Sequence, residues 1–459
     1  MTTAGTPSAT AIRWFLDRLD AHPVNSPAII DGDSLITFGE IAAHRREWAS
    51  SLAVAGVRPG DVVSLHADHG APAVAALLGA FEVGAIVVPI APQVPAARAL
   101  ALADVAQPIW RIDPFSATVI ATPRGSLDAP PYERVRERGH PGLVLFTSGT
   151  GGLPKGVVHD VASLVERFRT PRPPRRVAAF LLFDHIGGVN TVLHSLANGG
   201  CVVTMTDRDP HRVAARIAVT GVEVLPTTPT FLHILVASGA TGAHDLSSLS
   251  LVTYGTEVMT DSTLAAVRRA LPGVRLLQTY GMSELGILRS RSDDDTAWVS
   301  IGGPEVEWRV EGGTLRIRAR TAMVGYLNAP DPFDHEGWFD TGDEVLVDGD
   351  RLRFLGRRDD AINIGGQKVH PAIIESVIAD IPGVRDVSVH GEPHPITGMA
   401  VVASVLFDGD LARAEARSLI RTACLRDMEP WQVPTRIVFV EDFRVTDRFK
   451  RARGDAASS

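Results

Sequence analysis

Residues 143–160 read LVLFTSGTGGLPKGVVHD: an apolar strand, a run of small hydroxyl-bearing and glycine residues, then a lysine. Such a loop can wrap phosphate oxygens. Glycines let backbone amides approach an anion, Thr147, Ser148 and Thr150 supply hydroxyl donors around Gly149, and Lys155 supplies a point charge. It is not the Walker loop, because Pro154 stands before the lysine and Gly156 follows it, where that motif needs Gly and Ser/Thr. No G-x-S-x-G nucleophile elbow is present in it either.

Outward from this loop the chain reads as α/β. Residues 34–38 are strand-like, and Thr37 with Glu40 has the spacing of a capping box opening a helix to about Ala55, where Gly56 stops it. The runs VVSLH (62–66), FEVGAIVVPI (81–90) and CVVTM (201–205) are β-branched segments between helical stretches, the pattern of helix-covered parallel sheets. TPRPPRR at 170–176 reads as a surface loop. After about residue 300 the strands shorten, as in RVEGGTLRIRA and in EVLVDGDRLRFLG, a hairpin turning at residues 348–350. This marks a small β-rich subdomain over about 300–356. A charged, Gly-containing joint, RRDDAINIGG, then leads into fresh alternation of helix and strand. The expected architecture is therefore a large multi-subdomain N-terminal body, 1–358, and a small α+β C-terminal domain, 359–459.

Bulk properties exclude several classes of function. The chain has 459 residues, more than one hydrophobic core usually serves, and its 45% hydrophobic and 21% charged residues fit an ordinary globular protein. A net charge of -8 without long basic runs leaves no footprint for nucleic acid or an anionic membrane. No stretch reaches the roughly eighteen apolar residues a bilayer span needs, and the N-terminus has no signal-peptide pattern. Cys201 and Cys424 suggest neither a disulfide framework nor a zinc site, which fits a reducing cytoplasm. Only three of the 45 basic residues are lysines, Lys155, Lys368 and Lys450. Among so many arginines, each lysine marks a place where a compact ammonium on a flexible stem is wanted.

The loop at 147–156 resembles, with Gly151 as the single departure over ten positions, the TSGTTGxPKG loop of the adenylate-forming superfamily: acyl-CoA synthetases, peptide-synthetase adenylation domains and luciferases. Four further stretches follow in the family's order, so the resemblance spans about residues 25–453. QTYGMSELG (278–286) is similar to the YGxTE motif, which implies that Ser283 contacts the α-phosphate and Glu284 helps hold Mg²⁺, an ion that takes one or two carboxylates plus phosphate oxygens. GWFDTGDE (337–344) resembles WxxTGD and implies that Asp343 accepts hydrogen bonds from the ribose. Residues 354–375 resemble the hinge motif, which implies a ribose contact at Arg357, a pivot at Asp359 that makes the C-terminal domain mobile, and a glycine loop, Gly365 and Gly366 with Lys368, against which the thiol-bearing arm lies. DRFKRARGD (447–455) puts Lys450 at the family's C-terminal catalytic lysine and Arg453 at its companion arginine, although Phe449 replaces the usual glycine and the upstream proline is missing.

The resemblance further implies ATP, Mg²⁺ and coenzyme A as cofactors, with Gly255, Thr256 and Tyr280 on the nucleotide. It assigns an acid pocket to LLFDHIGGVNT (181–191) together with Tyr254, Gly281 and Met282. Gly187 and Gly188 suggest room in that pocket, and its apolar lining suits a fatty, aryl or polycyclic acid. His185 matches the gate of acyl-CoA synthetases and a catalytic position, whereas Asp184 could align with the aspartate that holds the ammonium of amino-acid substrates. Three functions stay open: a complete acid–CoA ligase, a stand-alone adenylating enzyme loading the pantetheine of a separate acyl carrier protein, and a member performing only one half-reaction.

Overall fold

The computed structural model describes residues 12–123, 128–147, 154–292, 296–441 and 443. Two seven-stranded sheets form the body. One runs Arg275–Gln278, Leu251–Tyr254, Val224–Thr227, Arg176–Ala179, Cys201–Thr204, Pro27–Asp31 and Ser34–Thr37, parallel throughout except for the final antiparallel pair. The other runs Gly325–Tyr326, Lys155–Asp160, Gly142–Thr147, Ile86–Ile90, Val62–His66, Trp110–Asp113 and Thr118–Ala121. Its central strands are parallel and buried on both faces, which is why they read as unbroken apolar runs.

The capping box at Thr37 and Glu40 forms, and the helix Phe38–Ala55 ends at Gly56 with φ +100°. This helix crosses Ala71–Glu82 at Gly79, where an added Cβ would stand 2.7 Å from Trp48 Cβ and 2.8 Å from the Arg45 carbonyl. Arg45 itself is buried and paired by Asp20 at 2.8 Å and by Glu82. One expectation is corrected here: Phe81 and Glu82 belong to the helix, Gly84 turns the chain at φ +79°, and the strand starts only at Ile86. The apolar run did not distinguish a buried helix end from a buried strand.

The β-rich part is a six-stranded antiparallel sheet containing both expected hairpins, Val306–Glu311 with Thr314–Ala319 and Phe339–Asp348 with Arg351–Arg357. Beyond the short 3₁₀ turn Arg358–Asp360, the helices Pro371–Ala379 and Arg413–Asp427 cover the strands Val384–His394, Gly398–Phe407 and Arg436–Phe439 around a core of their own. Among the described residues, histidine contacts help to join this unit to the body. His370 Nε2 lies 2.7 Å from Glu344 Oε2, and His233 donates to the Arg385 carbonyl at 2.9 Å. No helix among the described residues is long and apolar enough to cross a membrane, and Cys201 and Cys424 are free and buried.

Candidate active site

The phosphate-type loop is flanked in sequence by two strands. Its two strands, Gly142–Thr147 and Lys155–Asp160, pair antiparallel with Thr147 opposite Lys155, so both residues stand at the mouth of the loop. Ser148, Gly149, Thr150 and Gly151 lie outside the described residues. Asn328 grips the backbone on either side of Lys155, accepting from Gly156 N at 3.0 Å and donating to the Pro154 carbonyl at 3.0 Å. A Cβ on Gly156 would come within 2.9 Å of the tip of the Leu327 side chain. The Lys155 ammonium sits 5.0 Å above the Tyr326 ring.

Tyr326 connects this loop to the second motif. Its strand, Gly325–Tyr326, pairs with Val157 and Val158, and its hydroxyl donates to Glu284 Oε1 at 2.8 Å. Burial, and then the Glu284 charge, raise the Tyr326 pKa far above its usual range, so the phenol stays a donor. Glu284 is only 8% exposed, at the turn between Tyr280–Met282 and Gly286–Leu288. Its other oxygen, Oε2, has no hydrogen-bond partner among the described residues and is not sealed from solvent. A carboxylate with one oxygen anchored and one open fits Mg²⁺ held jointly with phosphate oxygens. The neighbouring Ser283 carbonyl accepts from His159 Nε2 at 2.5 Å, so the strand carrying Lys155 holds the Glu284 turn directly, beside the anchor from Tyr326 on the adjacent strand.

The third and fourth motifs meet on the far side of the same turn. The Tyr280 hydroxyl donates to Asp343 Oδ2 at 2.6 Å, and its ring stacks on Phe354 with centroids 4.8 Å apart. Arg357, directly opposite Asp343 in the ladder, reaches its Oδ1 at 3.4 Å. Thr256 carries φ +72°, a conformation that costs a β-branched residue energy and that collects at ligand sites. Beside it, Gly255 is required because a Cβ would lie 2.5 Å from the Thr279 carbonyl.

Other expected positions fall elsewhere. Gly187 and Gly188 do not open a pocket: an added Cβ would lie 2.8 Å from Leu181 Cδ1 at the first and 1.9 Å from the Leu182 carbonyl at the second. They let the helix Ile186–Ala197 sit against that backbone, with Asp184 and His185 leading into it and 3.7 Å apart. The Tyr254 ring is buried in a second apolar core rather than open to a cavity. Gly281 and Met282 pair with Ile287 and Gly286 in the hairpin. Asp359 is exposed, and so is the Gly365, Gly366 and Lys368 hairpin tip. Those two glycines adopt φ +60° and +92° with open space where a Cβ would sit, so turn geometry rather than close approach demands them in this arrangement. Lys450 and Arg453 lie outside the described residues. Tyr326 and Asn328 were not anticipated; the sequence signal available was the GYLN stretch at 325–328, a turn-like tyrosine and asparagine with no local charge to draw attention.

Burial drives the His159 and His194 pKa values from 6.5 to about 4 each. The unfolded chain takes up these protons near 6.5 and the folded one refuses them, so the associated stability is complete above about pH 6.5 and is lost as pH falls toward 4. The melting temperature is therefore expected to fall steadily across that window; a flat profile would contradict the neutral buried imidazoles.

The family model for AMP-binding enzymes matches residues 15–326, and that for the AMP-binding enzyme C-terminal domain matches 373–450. The chain belongs to the AMP-binding enzymes. As such it is an adenylate-forming, AMP-forming ligase that binds ATP. This AMP-binding enzyme is 31% identical to the isonitrile lipopeptide synthase of Streptomyces coeruleorubidus over 93% of its own length, but it spans only 32% of that much longer protein. It is 27% identical to a methyl-dioxo-octahydroindenyl-propanoyl:CoA ligase of Rhodococcus jostii, covering 90% of this chain and 92% of that one. The feruloyl-CoA synthase of an Amycolatopsis species is also 27% identical, over 96% and 97%. In fold, the AMP-binding enzyme resembles an anthranilate CoA ligase solved with anthranoyl-AMP, with a TM-score of 0.81, 95% of each chain covered and 21% identity.

Proposed function

We propose that this enzyme joins a largely apolar carboxylic acid (aryl, polycyclic or fatty) to coenzyme A in two half-reactions. The observation that carries the reading is the line Lys155–Tyr326–Glu284, which aligns a cation and an anchored carboxylate beside the loop at 147–156. The full-length relatives named as CoA ligases support CoA as acceptor.

In the first step an oxygen of the acid attacks the α-phosphorus of ATP; the bond to the pyrophosphate oxygen breaks, giving acyl-AMP and pyrophosphate. Two anions must be brought together, and Lys155, steered by the Asn328 clamp, offsets that repulsion at the loop mouth. When bound through Glu284, Mg²⁺ would supply further charge neutralisation on the phosphates. Asp343 and Arg357 would receive the ribose, with Tyr280 holding Asp343 in place. Lys450 would bridge acid and phosphate. Rotation about Asp359 then withdraws Lys450 and presents Gly365 and Gly366 to the thiol, whose sulfur attacks the acyl carbonyl while AMP leaves.

The test is acid-dependent AMP and thioester formation, with CoA or a pantetheinylated carrier, for wild type and Lys450→Ala. Adenylation is expected to fall about a hundredfold or more in the variant. Thioester formation from synthetic acyl-adenylate, with no AMP from any acid, would replace this reading with the single half-reaction.

A further inference from the structure

The turn that carries Ser283 and Glu284 is gripped along its backbone as well as at the Glu284 side chain. Three successive carbonyls in it accept from three different residues: Ser283 from His159 Nε2 at 2.5 Å, Glu284 from Met323 N at 2.7 Å, and Leu285 from the Thr321 hydroxyl at 2.6 Å. Thr321 and Met323 belong to the segment that leads into the short strand of Tyr326. His159 reaches the turn from another element, the strand that begins at Lys155. Side chains alternate along a strand, so Lys155, Val157 and His159 share a face. The contacts agree: Lys155 lies over the Tyr326 ring, Val157 packs with Met323 and Tyr326, and His159 meets the turn. A single strand therefore carries the loop-mouth cation at one end and a fastening of the Glu284 turn toward the other.

The His159 ring is fully buried, and its Nδ1 has no hydrogen-bond partner among the described residues. The adjacent Asp160 carboxylate is engaged by His140, Arg138 and the Ala162 amide. Because a carbonyl can only accept, the ring proton sits on Nε2, and burial keeps the imidazole neutral near pH 7. A ring that only filled space here, with one nitrogen left dry, would cost the fold more than an aliphatic side chain like those of Val157 and Val158. What the imidazole provides is a donor without charge. A cation in its place would draw on the Glu284 carboxylate, whose full charge a divalent ion needs.

We propose that His159 is a positioning residue for acyl-adenylate formation: its Nε2–H fixes the Ser283–Glu284 peptide at a constant distance from Lys155, so that both side chains meet the phosphates already aligned. This rests on the ligase reading for the reaction and adds to it a residue that acts only through the turn.

The experiment compares wild type with His159→Leu, His159→Asn and His159→Gln. Leu has no donor, the Asn amide stops short of the Ser283 carbonyl, and the Gln amide nitrogen has nearly the reach of Nε2. In His159→Leu the kcat for acid-dependent AMP formation is expected to fall about tenfold to a hundredfold while KM for ATP moves by less than about threefold, because alignment rather than uniform binding is lost. His159→Asn should show the same loss, which covers the case in which His159→Leu fails to fold, and His159→Gln should recover most of the activity. A second readout needs no turnover. The rise in melting temperature given by ATP, titrated with Mg²⁺, should require about tenfold more Mg²⁺ in the Leu and Asn variants than in wild type or His159→Gln, the usual loss when a residue orienting a metal ligand is removed. Wild-type kcat in either folded donor-less variant overturns the proposal. So does an equal loss in His159→Gln, which would assign the effect to ring packing, and so does failure of both donor-less variants to fold, which would make the residue structural. No AMP from any acid in wild type would sink the ligase reading, and the Mg²⁺ titration would then decide His159 by itself: a midpoint raised in the donor-less variants alone supports it, and an unmoved midpoint overturns it.

Discussion

Glu284→Gln is expected to lower AMP formation by about a hundredfold or more, the loss typical of removing one preorganised charge from a phosphoryl-transfer site. The substitution keeps the side chain's shape and leaves an amide oxygen that can still accept from the Tyr326 hydroxyl, so the fold around it should persist. What disappears is the negative charge on the open oxygen. Tyr326→Phe makes the complementary change: the charge stays but its anchor is lost, and the lysine still lies over an aromatic ring. Its effect should be smaller, about tenfold, and should appear in kcat more than in KM for ATP because alignment rather than uniform binding is impaired. Melting curves run beside the ATP-consumption assay separate both effects from unfolding. Full activity in Glu284→Gln would remove this carboxylate from the chemistry altogether.

The second large effect is on stability. Gly188→Ala places a methyl group 1.9 Å from the Leu182 carbonyl oxygen, and backbone on both sides must give way. A cost of about 3 kcal/mol or more is expected, visible as a lower melting temperature or loss of soluble protein. Gly187→Ala meets only the tip of the Leu181 side chain, which can rotate aside. Its cost should stay within about 1 kcal/mol. If the two glycines instead lined an open pocket, both substitutions would be mild and would alter acid selectivity rather than stability, so the pair of measurements separates the two roles.

That pair also illustrates where sequence reasoning stops. Local signals were legible: Thr37 and Glu40 cap a helix because their spacing alone satisfies its first amides, and residues 348–350 turn a hairpin because little else suits Asp-Gly-Asp between alternating strands. The motif residues Lys155, Glu284, Asp343 and Arg357 stood out by residue type and spacing, and folding joins Glu284 to Lys155 through Tyr326 and Asp343 to Arg357 directly. Nothing in a run such as DHIGGVN says what approaches its glycines, since that partner is fixed by tertiary packing. Tyr326 was invisible for a related reason. It acts across 42 residues of chain, from a strand only two residues long, on a carboxylate whose own motif gives no hint of needing a donor.

The scarcity of lysine gives the chain a built-in chemical probe. An amine-reactive label finds three lysine side chains in the sequence, and two of them, Lys155 at the loop mouth of the body and Lys368 on the C-terminal hairpin, are exposed on different units. Guanidinium groups, protonated throughout the usual pH range, stay silent to such reagents. The relative labelling of Lys155 and Lys368 thus reports, in the unaltered protein and without an engineered tag, how accessible each unit's working edge is at any stage of turnover.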